Sequence, residues 1–136
     1  MKTKSRLAFL GLFLLALAVS CNKDDPAPAS IIGTWKLSSE SLTNCTDPAD
    51  NGVDNCTGTC PTLAIAESTW TYADPSNPSN SGAGTYSISG STLTTTVTAG
   101  SGLTGTYTFS VTSTALTISD PNYGGGCTGN LNFTRL

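Results

Sequence analysis

The sequence predicts an all-β protein: an up-and-down antiparallel meander that closes into a small barrel, preceded by a signal peptide. Three observations predict it. From Ile31 onward the apolar residues recur at every second position, the period of a half-buried strand. No stretch beyond residue 30 keeps a helical period over about ten residues. Thr, whose branched side chain suits a pleated surface, is abundant, and short Gly- and Ser-containing turns separate the alternating runs. A meander of this kind hides its edges by closing on itself.

The elements follow in order. Ile31, Gly33, Trp35 and Leu37 share one face of a first strand. Leu63 and Ile65 share a face of a second, while Trp70 and Tyr72 fall on the opposite parity, a mismatch that a bulge near residues 67–69 would reconcile. Tyr86 and Ile88 alternate, then Ser89-Gly90-Ser91 turns into a strand carrying Leu93 and Val97. Tyr107, Phe109 and Val111 form the clearest alternating run; residues 112–114 turn again, Leu116 and Ile118 follow, and Leu131 and Phe133 close the chain. Seven strands result, with both glutamates, Glu40 and Glu67, on strands. Residues 43–61 and 74–82 are long and irregular. Such loops are usually functional or cross-linked, and the first, with three cysteines, reads as cross-linked.

The N-terminus carries an address. Lys2, Lys4 and Arg6 precede an apolar run over residues 7–19, too short to span a bilayer comfortably, and Ser20-Cys21 follows directly. This order resembles a lipoprotein signal, with cleavage before Cys21 and acylation of its sulfur; Ala18 stands where the usual motif carries Leu. Asn22-Lys23-Asp24-Asp25 resembles the lysine-plus-acid tag of surface-exposed lipoproteins of the Bacteroidota, and Pro26-Ala27-Pro28-Ala29 makes a stiff, extended tether. The expected organisation is a signal peptide at residues 1–20, a lipidated tether at 21–30 and one β-domain at 31–136. The expected location is the outer membrane, lipid-anchored and displayed at the cell surface. Two or three acyl chains, at ~0.8 kcal/mol per buried methylene, would hold the chain there without a spanning helix.

Composition excludes several function classes. Removing residues 1–20 leaves Lys23, Lys36 and Arg135 against nine acids. Phosphate backbones need clustered Lys and Arg, so no nucleic-acid partner is expected, and the lipid rather than charge must supply membrane attachment. The chain has no His, which removes Ser-His-Asp and Cys-His catalysis and His-containing metal sites. Carboxylate pairs at glycosidase spacing are not evident. Residues 47–54 invite comparison with a calcium loop because Gly52 falls at the sixth place, but Ala49 fails the third and Gly58 the twelfth, so a solvated turn is the better reading. Gly124-Gly125-Gly126 reads as a hairpin connection. No enzyme, cofactor or metal is expected.

Beyond Cys21, the cysteines are Cys45, Cys56, Cys60 and Cys127, an even number in an exported chain, which argues for two disulfides. A zinc site would want two tight Cys-x2-Cys pairs, and only Cys56 and Cys60 are close.

Ile31-Ile32-Gly33-Thr34-Trp35-Lys36-Leu37 opens the domain. This Gly-x-Trp on a first strand, just after a tether, resembles the lipocalin-like lipoproteins of the Bacteroidota and the Gly-x-Trp of lipocalins proper. The resemblance covers about residues 31–136. It implies that Trp35 plugs one end of the barrel, that Gly33 permits a close backbone approach, and that Arg135, a basic residue of the last strand, packs over that Trp. The chain departs from classical lipocalins in being shorter and in lacking the acidic-aromatic motif between middle strands.

Barrel closure constrains the disulfides. If the first and last strands pair antiparallel, Cys45 lies just past one and Cys127 just before the other, with Cys60 near the same rim. Cys127 then bonds Cys45 or Cys60, not Cys56. Cys45–Cys127 with a local Cys56–Cys60 bridge is the preferred arrangement; Cys60–Cys127 with Cys45–Cys56 is the alternative. Two functions fit. One is a lipid-anchored monomer that binds a small apolar or amphipathic ligand in a modest pocket. The other is a non-enzymatic surface module, its barrel filled by its own side chains, that contacts protein, glycan or envelope.

Overall fold

The computed structural model describes residues 29–102 and 104–136; the signal sequence, Cys21 and most of the tether lie outside them. The described residues form one antiparallel sheet of strands β1 (Gly33–Thr43), β2 (Gly52–Asn55), β3 (Thr62–Ile65), β4 (Thr69–Ala73), β5 (Gly82–Ser89), β6 (Thr92–Gly100), β7 (Gly105–Val111), β8 (Ala115–Tyr123) and β9 (Cys127–Arg135). Neighbours in sequence are neighbours in space from β3 to β9, and β9 returns to pair with β1, closing an eight-strand barrel. The strand β2 is extra: it shares with β3 one side of the long β1.

Two expectations need correction. The parity change between Ile65 and Trp70 is not a bulge within one strand. It is a hairpin at residues 66–68, closed by the Ala66 N–H donating to the Thr69 carbonyl at 2.9 Å, so the seven expected strands become eight around the barrel. Ile65 pairs with Trp70 and Leu63 with Tyr72, which puts both pairs on the inner face. Glu67 lies in that turn, not on a strand. The irregular segment 43–61 also has more structure than expected, a 3-10 turn at Pro48–Asp50 and then β2.

A true bulge occurs where the sequence shows none. In β1, Leu37 pairs with Phe133 and Ser39 with Asn132, leaving Ser38 as the extra residue. Its hydroxyl donates to the Asn132 carbonyl at 2.8 Å. Because strand side chains alternate, one inserted residue exchanges the two faces beyond it. Trp35 and Leu37 point inward before the bulge; after it Glu40 opposes Leu131 and Leu42 opposes Gly129 on the inner face. Ser39 and Ser41 are thereby turned outward, where Asn132 and Asn130 donate to their hydroxyls at 3.2 and 3.4 Å.

The core gathers Ile31, Trp35, Leu37, Leu63, Ile65, Trp70, Leu93, Tyr107, Leu116 and Phe133. The outer faces of the middle strands are uncharged and hydroxyl-rich: Ser87 opposes Thr94, Thr94 opposes Thr106, and Thr108 opposes Ser119. In β8 the ladder loses register between Asp120 and Tyr123, beside Pro121, which has no N–H to give.

Two disulfides brace the wall. Cys45–Cys127 ties the end of β1 to the start of β9 across 82 residues, and Cys56–Cys60 pinches the excursion between β2 and β3. This is the preferred of the two arrangements that barrel closure allowed. On either side of the excursion the ladder with β1 continues: the Cys56 N–H donates to the Ser38 carbonyl and the Leu37 N–H to the Pro61 carbonyl, both at 2.9 Å.

Candidate functional site

One end of the barrel is plugged. Trp35 has no exposed surface, and its indole N–H donates to the Ile31 carbonyl at 2.8 Å, so its one polar atom is satisfied. The Arg135 guanidinium stacks over the ring at 4.0 Å from its centre. Its nitrogens donate to the carbonyls of Ser30, Ile32 and Ser113, stitching the N-terminal approach and the β7–β8 turn to the last strand. Gly33 makes the stack possible: its backbone has φ +147°, and a Cβ there would sit 2.4 Å from the Arg135 Nη1. Gly33, Trp35 and Arg135 therefore form one unit with backbone, ring and cation in contact.

Above the plug the barrel is hollow. A cavity of about 740 Å³ extends from Ile31, Leu63, Ile65, Leu93 and Phe133 to a rim formed by residues around Asp50, Val53, Asn80, Ser101 and Tyr123. Volumes of roughly 300–1,000 Å³ are usual for small-molecule sites. The barrel is not filled by its own side chains. The Trp70 ring forms part of the wall; its indole N–H donates to the Thr85 carbonyl at 3.2 Å, and the absence of a side chain at Gly84 leaves room for it, since a Cβ would lie 2.7 Å from the ring.

Polar groups enter the cavity from several strands. Glu40 from β1 and Asp54 from β2 are directly opposite each other, and Asp120 from β8 opposes Gly129 on the inner face. Tyr72 and Tyr107 face the same space. Burial, followed by the nearby charges of Glu40 and Asp74, pushes the Tyr72 phenol up to about 12. Burial and the Asp120 carboxylate raise the Tyr107 phenol as well. Both phenols are thus neutral hydroxyls at physiological pH.

The residues singled out from sequence separate into two groups. Gly33, Trp35 and Arg135 come together at the closed end, whereas the four described cysteines brace the opposite rim and the side wall. The sequence reading missed Glu40, Asp54, Asp120, Trp70 and Tyr72 as cavity residues. For Trp70 and Tyr72 the spacing from Ile65 was a usable signal, since a switch of parity fits a tight hairpin as well as a bulge. For Glu40 there was none, because the Ser38 bulge sets its orientation. The segment compared with a calcium loop is a turn: the Asp47 Oδ1 accepts from the Ala49 N–H at 2.9 Å, and residues from Gly52 onward enter β2. Among the described residues no group of three or more Cys, Asp or Glu side chains could hold a metal ion, and no helix is long and apolar enough to cross a membrane.

No curated protein sequence and no solved structure matches the chain. A family model does: that of the lipocalin-like domain, over residues 31–118, from the strand that carries the Gly-x-Trp to the middle of β8. With the closed antiparallel barrel, the stacked plug and the match over most of its length, the chain belongs to the lipocalin-like family.

Proposed function

We propose that this protein is a lipid-anchored outer-membrane lipoprotein, of the kind found in the Bacteroidota, whose barrel binds a small apolar or amphipathic molecule. The observation that carries the binding half is the cavity of about 740 Å³, apolar at its floor and accessible at the disulfide-braced rim, opposite the Trp35 plug. The anchoring half rests on the basic-apolar-Ser-Cys order that ends at Cys21. The tether of residues 21–30 would let the domain stand off the membrane as a monomer at the cell surface, with its barrel free to take up ligand. Catalysis has no part in this reading, because the lipocalin-like family fold is typically one that binds.

Two measurements test it. The purified mature protein, taken to a native mass spectrum without solvent extraction, is expected to carry a small-molecule adduct or, once delipidated, to bind an environment-sensitive apolar dye in one-to-one ratio. A protein that carries no adduct and takes up no dye is not a ligand carrier. Separately, Cys21→Ala is expected to move the protein from the detergent-soluble membrane fraction to the periplasm or medium. Unchanged partitioning of that variant would remove the anchor.

A further inference from the structure

The charges around the cavity are all of one sign. Glu40, Asp50, Asp54 and Asp120 line it, and among the described residues no Lys or Arg does. Glu40 and Asp54 stand directly opposite one another across β1 and β2, on the inner face. Like charges in that position weaken an antiparallel pair. Neither carboxylate has a hydrogen-bond or ion-pair partner among the described residues. The two described cations are placed elsewhere. Lys36 alternates with the inward Trp35 and Leu37 and so faces out, and Arg135 is committed to three carbonyls at the closed end. Both carboxylates are exposed where they line the cavity, so the head group of an entering ligand meets them directly.

The groups beside them suit such a visitor. Tyr72, within the electrostatic reach of Glu40, and the Trp70 ring line the same cavity, and aromatic faces attract cations. Deeper in, Leu63, Ile65, Leu93 and Phe133 offer only apolar surface. An anionic head, such as that of a fatty acid, would instead meet four carboxylates with no basic group to offset them.

Resting on the ligand-binding reading above, we infer that the ligand is an amphipathic organic cation: an apolar body against Leu63, Ile65, Leu93 and Phe133, and an amine or quaternary ammonium head between Glu40, Asp54 and Tyr72. Electrostatic complementarity of this kind sets which head group is accepted, while apolar burial supplies most of the attraction.

Three amphiphiles with the same twelve-carbon tail, used below their micelle concentrations, separate the outcomes: dodecyltrimethylammonium, dodecanol and dodecanoate. Calorimetric titration of the mature protein is expected to rank them in that order, the cation at least about tenfold tighter than the alcohol, with the gap narrowing as salt rises. Glu40→Gln and Asp54→Asn are each expected to weaken the cation about three- to tenfold and leave the alcohol unchanged, with no loss of folding stability. Equal affinity for all three, or a preference for dodecanoate, would overturn the cation inference and leave the barrel a binding site. An equal loss of cation and alcohol in the variants would also overturn it, by making the carboxylates structural. Binding of none of the three would remove the ligand-binding reading as well.

Discussion

At the scale of single residues, the plug shows how one small motif depends on a distant side chain. The Gly-x-Trp is local, but what makes Gly33 necessary is the Arg135 guanidinium, which arrives from the far end of the chain and occupies the space of a Cβ. Trp35 is fully buried and its N–H is paired, so Trp35→Ala is expected to cost ~3–5 kcal/mol in denaturant unfolding. Gly33→Ala is expected to cost ~1–3 kcal/mol, because it must hold a positive φ and displace Arg135. A Trp35→Ala loss below ~1 kcal/mol would mean that the plug contributes packing of little consequence. The roles of Trp35 and Arg135 could be anticipated from family resemblance; the contact of Gly33 with Arg135 could not be read from spacing, since the two residues are neighbours only once the barrel has closed.

At the scale of elements, the disulfides differ in what they constrain. Cys45–Cys127 closes a loop of 82 residues and joins β1 to β9 at the rim, whereas Cys56–Cys60 spans only four. In the chain-entropy model the first contributes about 4–5 kcal/mol and the second about 2 kcal/mol or less. Replacing Cys45 and Cys127 together by Ser is therefore expected to lower the denaturation midpoint far more than the same change at Cys56 and Cys60, as measured on the oxidised proteins. Equal effects would show that the bridges act through native strain or local structure rather than the unfolded chain. The number and type of elements were largely legible, because alternation is a property of each strand alone. The β3–β4 hairpin was misread because a bulge and a tight turn both change parity, and only the pairing of Ile65 with Trp70 distinguishes them. The Ser38 bulge was invisible, since it is defined by what β9 places opposite β1.

At the scale of the whole molecule, the inward tyrosines couple stability to alkaline pH. Unfolded tyrosines ionise near pH 10, while Tyr72 keeps its proton to about 12 because of burial first and neighbouring carboxylates second. The stabilisation is thus intact below pH 10 and is lost as pH rises toward 12, where the unfolded chain releases a proton that the folded one retains. Spectroscopic titration of the phenolates is expected to show a late component that disappears in Tyr72→Phe, and that variant is expected to lose less stability over the same interval. A native protein whose tyrosines all ionise near pH 10 would place Tyr72 in water rather than in the cavity.

The amino-acid order by itself determined the all-β class, the approximate positions of most strands and the supply of aromatic and apolar residues. These follow from local alternation, turn chemistry and composition, all short-range along the chain. It also contained the signal-like N-terminus and the plug motif. Only the tertiary structure decided that the barrel encloses a cavity, which of two disulfide pairings forms, and that Glu40, Asp54 and Asp120 face the same space. The physical reason is that cavity volume and facing direction depend on register between strands far apart in sequence. A single extra residue at Ser38 is enough to turn Glu40 from the outer surface into the barrel.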